Sequence, residues 1–176
     1  FLLAGALLAG TPLLIAALGE LITEKAGVLN LSVEGMMALG AVSAFITATT
    51  TGNYWLALLV GGIAAAALSA VFAFVVLITL GNQVATGIAV GVLGIGLSGL
   101  IGRNYESSTI APMVKMPIPG LSEIPVLGPG LFNHVALVYL VPVLAVLTWW
   151  TLRSTRLGFV IRAVGESPVA AHAIGY

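Results

Sequence analysis

Between Gly35 and Gly102 the chain runs 68 residues without a single Asp, Glu, Lys or Arg. One membrane-spanning helix needs about 20 apolar residues, so this stretch alone is long enough for three crossings. Breakers divide it accordingly: "TTTGNYW" at 49–55 and "LGNQ" at 80–83 gather Gly and Asn between apolar runs, the composition of short connections. The pattern predicts helices over 27–50, 55–80 and 83–102. Uncharged runs over 2–18 and 135–152 add two more. The first of these lacks a basic start and a convincing cleavage site, which argues against a signal peptide.

Composition points the same way. Of 176 residues 60% are hydrophobic and 7% charged, against about 25% charged in a soluble domain, so the chain cannot clothe a water-facing surface. The apolar runs are continuous and far longer than the alternating segments of roughly ten residues found in membrane barrels. In lipid each backbone group must find its partner inside its own segment. The expected fold is therefore all-α, a polytopic transmembrane helical bundle with about five membrane segments in a chain that is itself expected to be part of a longer one.

Several function classes are excluded early. Six Lys plus Arg balance six Glu, with no Asp, so no broad field draws nucleic acid or an acidic partner. Cysteine is absent, which removes disulfides, thiol catalysis and cysteine metal sites together. There is no phosphate-cradling glycine motif followed by Lys, no spaced pair of catalytic acids and no His cluster. Neither an enzyme site, a metal site nor a cofactor of the chain's own is expected.

Arg153, Arg156 and Arg162 lie just beyond the last apolar run, and cytoplasmic loops hold the excess of basic residues. The segment 153–176 is thus expected in the cytoplasm, apart from a bundle over 1–152, and parity places 103–133 outside. That long loop contains Pro112, Pro117, Pro119, Pro125 and Pro129 with Gly120, Gly128 and Gly130. The mixture resists regular structure and reads either as an ordered cap over the bundle or as a slack connection.

Glycine is abundant, 22 residues, and part of it is spaced for helix contact. Gly87 and Gly91 form one small-xxx-small pair; Gly94, Ser98 and Gly102 form a second row. Such rows let helix backbones approach closely where hydrophobicity cannot drive helices together; a substrate path lined by short side chains is the other reading.

One stretch, "EKAGVLNLSVEG" at 24–35, interrupts the apolar pattern. Gly27 tolerates unusual backbone angles and Asn30 can cap a new helix, so a broken helix is expected here. A break at membrane depth must face protein or a wet cavity, and transporters use such breaks to hold substrate. Glu34 follows it. An acid inside a membrane segment is a functional-site hypothesis by default; a solvated place near the interface is the plain alternative. Glu20 and Glu24, four apart on one helical face, read as interfacial.

These residues carry a resemblance. "GELITEKAGVLNLSVEGMMALGA" at 19–41 resembles the hallmark segment of permease subunits of bacterial ABC importers, in the branched-chain amino acid, ribose and nucleoside superfamily, nearest its simple-sugar and nucleoside branch. The likeness continues through "NQVATGIAVGVLGIGLSGLIGR" at 82–103, "PIPGLSEIPVLGPGLF" at 117–132 and "STRLGFVIRAVGESPVAAHAIGY" at 154–176. It implies a bacterial inner-membrane permease for nucleosides or simple sugars. The implied partners are an ABC ATPase subunit that holds the ATP, a second permease, an extracytoplasmic substrate-binding protein and membrane lipid. The translocation path would run beside Asn30, Ser32 and Glu34, with Asn82, Gln83 and Thr86 near it.

The last motif has its own physics. Ser167 can cap a helix and Pro168 suits its first position, so a short cytoplasmic helix is expected to continue until Gly175. By resemblance it is a coupling segment that docks on the ATPase, with Gly165, Ser167, Pro168, Ala171 and His172 in it and Arg156, Arg162 and Glu166 as rim contacts. An amphipathic interfacial helix is the other reading of the same residues. From a different class comes a self-contained channel or secondary transporter using Glu34 as a proton or cation site; a purely structural anchor would leave the interrupted segment and the terminal helix without a purpose.

Overall fold

The computed structural model describes residues 2–120, 122, 130–173 and 175. Its helices are α1 (Leu2–Lys25), α2 (Val33–Thr51), α3 (Tyr54–Ala73), α4 (Gln83–Gly102), α5 (Ala136–Ser154), α6 (Arg156–Glu166) and α7 (Pro168–Ala173). Five segments are long and apolar enough to cross a membrane: Leu2–Lys25, Val33–Thr51, Tyr54–Ile78, Gln83–Tyr105 and Ala136–Ser154. Large apolar side chains such as Leu13, Ile63 and Val146 stand mostly exposed along them, as a surface facing lipid requires. The chain is a multi-pass helical membrane protein. Its contacts divide it into two compact units, Phe1–Val28 with Met113–Tyr176, and Leu29–Pro112.

In the second unit, α2 packs on both α3 and α4. The breakers seen in the sequence are caps: Asn53 Oδ1 accepts from the N–H groups of Trp55 (3.0 Å) and Leu56 (3.2 Å) to start α3. Asn82 Oδ1 accepts from Ala85 N–H at 3.0 Å to start α4. Each satisfies donors that a helix start otherwise orphans. α2 stops at Gly52, whose φ of 68° closes the helix in the left-handed conformation. The last turn of the third span, Phe74–Ile78, is π-helical.

Helix contact here is backbone on backbone. A Cβ built on Gly61 of α3 would lie 2.7 Å from the Gly40 carbonyl oxygen of α2, and one on Gly94 of α4 would lie 2.5 Å from that of Gly35. Without a hydrophobic drive between helices in lipid, close approach through small residues supplies the packing. The expected Gly87 and Gly91 pair lies on the face that meets the segment before α2, and Gly94 extends that face. Ser98 instead returns its hydroxyl to Ile95 O at 2.8 Å.

The first unit contains α1, α5, α6, α7 and a short ladder. β1 (Lys115–Pro117) pairs antiparallel with β2 (Asn133–Val135), Met116 opposite His134, and Ile118 N–H donates to Phe132 O at 3.0 Å beyond them. The long loop is thus not free of regular structure. Proline is tolerated because an edge strand leaves part of its N–H groups without a ladder partner. His134 is buried: its ring Nε2 donates to Gly130 O at 2.8 Å and its backbone N–H to the Tyr139 hydroxyl at 3.1 Å. Of the loop's breakers, Pro125, Gly128 and Pro129 lie outside the described residues.

Two helix limits differ from expectation. The second span starts at Val33 rather than residue 27, and α1 runs on to Lys25 instead of stopping near residue 18. The interruption at Gly27 and Asn30 therefore joins two full-length helices rather than breaking one. Glu20, Glu24 and Lys25 fall inside α1: Glu24 and Lys25 are exposed in its last turn, and Glu20 accepts from the Thr23 hydroxyl at 3.2 Å. α6 was not anticipated at all. Thr155 starts it, its hydroxyl accepting from Gly158 N–H at 3.1 Å.

Candidate functional site

Residues 29–35 cross the glycine face of α4. A Cβ built on Gly87 would lie 2.9 Å from Leu31 N, so glycine there lets an irregular stretch of backbone lie against the helix, while one on Gly91 would stand in ordinary contact, 3.5 Å from Leu31 O. Leu29 N–H donates to Gln83 Oε1 at 2.8 Å, which ties the segment to the start of α4. Asn30 Oδ1 accepts from both Ser32 N–H (3.0 Å) and the Ser32 hydroxyl, and Asn30 Nδ2 faces Met36 Sδ at 3.8 Å. Asn30 is 8% exposed and Ser32 0%. Their polar atoms engage each other in an Asx turn that delivers the chain into α2.

The other candidates in this unit stand differently. Glu34 is exposed in the first turn of α2, where its carboxylate favours the positive end of the helix dipole. Asn82 is exposed and occupied as a cap, Gln83 is half-buried and held by Leu29, and Thr86 is half-buried one turn along α4. The structure thus brings Asn30, Ser32 and Gln83 to one junction between the interrupted segment and α4.

In the first unit the C-terminal helices are fastened by two glycines. A Cβ on Gly165 would lie 2.2 Å from the Lys25 carbonyl oxygen at the end of α1, and one on Gly158 would lie 2.1 Å from Thr151 O at the end of α5. Gly27, with φ of 81°, turns the chain away from α1 at this contact, its missing Cβ 3.1 Å from Gly165 Cα. Ser167 caps α7 as expected, its Oγ accepting from Ala170 N–H at 3.3 Å. α7 ends at Ala173, short of Gly175, which takes φ of 92° and donates its N–H to His172 O at 3.1 Å. Ala171 is 2% exposed and packs against its own chain, whereas Arg156, Arg162, Glu166, Pro168 and His172 are exposed. Sequence reading missed α6 and the glycine fastening; the signal for the former is Thr155 before an amphipathic run, and the latter has none.

A cavity of about 540 Å³ also opens in this unit between α1 and α5, walled by residues such as Leu14, Phe132 and Val141. Its polar members are already engaged, Thr11 with Leu7 O at 2.7 Å and Tyr139 with His134 N–H at 3.1 Å. It suits apolar matter rather than a hydroxyl-rich cargo.

Five helices long and apolar enough to span a membrane, with a non-helical segment laid on the glycine face of α4, define a polytopic helical membrane protein. The chain belongs to the family described as branched-chain amino acid transport system / permease component, whose model matches residues 2–176. Among curated relatives, TsgC13 of Haloferax volcanii, provisionally named as a glucose ABC transporter permease, is 43% identical over 95% of this chain and 52% of its own length. NupQ of Bacillus subtilis, a guanosine ABC transporter permease, is 32% identical over 93% of this chain and 55% of its own. NupC of Lactococcus lactis subsp. cremoris, a nucleoside ABC transporter permease, is 30% identical over 99% and 58%. The chain therefore spans about half the length of the curated relatives it matches. No solved structure matches it significantly.

Proposed function

We propose that this chain forms part of the transmembrane permease subunit of an ATP-driven ABC importer for nucleosides or simple sugars in the plasma (inner) membrane. The family match over residues 2–176 and three relatives named as glucose, guanosine and nucleoside permeases carry this reading. ATP is hydrolysed by a partner ATPase. A second permease and an extracytoplasmic binding protein complete the assembly.

In this proposal the path runs beside the junction of the interrupted segment with α4. Asn30 and Ser32 hold the segment's shape, since their polar atoms bond each other. Glu34, Gln83 and Thr86 meet the hydroxyls of the cargo, with Asn82 keeping the start of α4 in place. Polar groups placed this way reject cargo that leaves them unpaired. The basic C-terminal segment faces the cytoplasm, and α6–α7 dock on the ATPase through exposed Arg156, Glu166 and His172. Gly165 against α1 and Gly158 against α5 make that segment a handle on two spanning helices, so a push on it moves both.

The test uses the full-length permease reconstituted with its ATPase and binding protein. Uptake of a nucleoside or sugar should require the ATPase and ignore collapse of the proton gradient, and Glu34→Ala should reduce it with assembly intact. Uptake that survives loss of the ATPase but stops when the proton gradient collapses would replace this reading with a secondary transporter using Glu34.

A further inference from the structure

Three of the chain's six cations, Lys25, Arg153 and Arg162, line one cleft of about 320 Å³ in the first unit. Its remaining walls come from the spanning helices α1 and α5: Leu18, Leu21, Ala145, Thr148, Trp149 and Leu152. No carboxylate lines it among the described residues. Lys25 closes the last turn of α1 and Arg153 that of α5, so both complement the negative ends of helix dipoles. Dipoles do not explain Arg162, which comes from the middle of α6 to the same cleft, its Nε donating to Gly158 O at 3.3 Å.

The cleft sits at the level where two membrane helices end. Arg153 lies over the Trp149 ring, 5.5 Å from its centroid, and Trp149 and Trp150 are 57% and 54% exposed, as in the aromatic belt at a membrane interface. From Lys25 back to Leu18, and from Arg153 back to Ala145, the apolar wall descends roughly 10–12 Å along the helix axes. A soluble protein docking from the cytoplasm cannot cover a wall at that depth. A molecule with an anionic head and an apolar tail can.

We propose that this cleft binds an anionic phospholipid, its phosphate headgroup held by Lys25, Arg153 and Arg162 and one acyl chain lying along Leu18, Leu21 and Ala145. Basic pockets between spanning helices on the cytoplasmic side attract such headgroups. The lipid would link α1 and α5 to α6. The site rests on the cytoplasmic orientation proposed above for α6 and α7, and not on which cargo the permease carries.

Brominated acyl chains test it, because they quench a nearby tryptophan. The full-length protein in mixed micelles is titrated with brominated phosphatidylglycerol and with brominated phosphatidylcholine, and the quench lost in Trp149→Phe is taken as that of the cleft. Phosphatidylglycerol should win at least tenfold, and Lys25→Gln or Arg153→Gln should each weaken it roughly fivefold, while Arg153→Lys keeps the preference. Equal quenching by both lipids, or a preference untouched by the Gln variants, overturns the proposal. So does displacement of the phosphatidylglycerol by millimolar inorganic phosphate, which would mark a free-anion site. Loss of ATPase binding in the Gln variants with lipid preference intact would make the cations a protein contact and likewise overturns it.

Discussion

Gly94→Ala probes the contact on which the second unit depends. A Cβ at this position would meet the Gly35 carbonyl oxygen at 2.5 Å, its carbon at 2.6 Å and its Cα at 2.7 Å. All three are backbone atoms, so no side chain can swing aside. Ordinary contact begins at 3.4 Å, and α2 and α4 must separate by roughly 0.5–1 Å, a gap that forfeits about a quarter to a half of the dispersion attraction across it. The expected net cost is about 2–3 kcal/mol, at the upper part of the range for overpacking. Gly96→Ala and Gly99→Ala on the same helix supply the controls, since a Cβ there meets nothing within 4 Å; they should be neutral or slightly stabilising, because Ala favours helix over Gly by up to about 1 kcal/mol. The assay is equilibrium unfolding of the full-length protein in mixed micelles, followed by circular dichroism. Gly35→Ala, whose Cβ would lie 2.3 Å from Gly91 O, should cost a similar amount. The double variant should cost less than the two together, because one separation makes room for both. If Gly94→Ala unfolds at the same denaturant concentration as Gly96→Ala, the backbone contact does not exist as described.

Other expectations follow from single contacts. Gly158→Ala forces a Cβ against Thr151 O and Leu152 Cα; it should open the corner between α5 and α6 and cost about 2–4 kcal/mol of stability, read as faster hydrogen exchange over 155–166 with α3 unchanged. Asn53→Ala removes the acceptor for two N–H groups and should destabilise the start of α3 by about 1 kcal/mol, measured as exchange of Trp55 and Leu56 amides; unchanged exchange would mean that water caps as well. Asn30→Ala unties the Asx turn and leaves the buried Ser32 hydroxyl and amide without their acceptor, a loss of about 1–3 kcal/mol. Asn30→Asp, which keeps the acceptor oxygen, should retain more of that stability in the same unfolding assay.

The site was only partly legible. Glu34 stood out because an acid in an apolar run is rare, and Asn82 and Asn53 fell in connections recognisable from their composition. Composition marks the connections but not the caps: Asn82 is expected on the translocation path, and only the structure shows Asn53 and Asn82 accepting from the orphan N–H groups of the helices they start. Asn30 and Ser32 read as polar wall residues because sequence shows their polarity but not their partners. Two residues apart, they satisfy each other, and that bond depends on backbone angles no periodicity reveals. The last helices show the same division: Ser167 and Pro168 announced α7, while α6 hid behind its closeness to the membrane span before it.

Sequence by itself determined the solvent and hence the class. A run of 68 uncharged residues belongs in lipid, lipid demands internally paired backbone, and the spacing of Gly and Asn sets how many helices result. Tertiary structure alone decided which glycines matter. Gly94 and Gly96 stand two apart on one helix with the same freedom of backbone, yet one touches Gly35 and the other meets nothing within 4 Å. Close approach depends on where the neighbouring helix lies, and that is set by contacts between residues far apart in the chain, which local pattern does not encode.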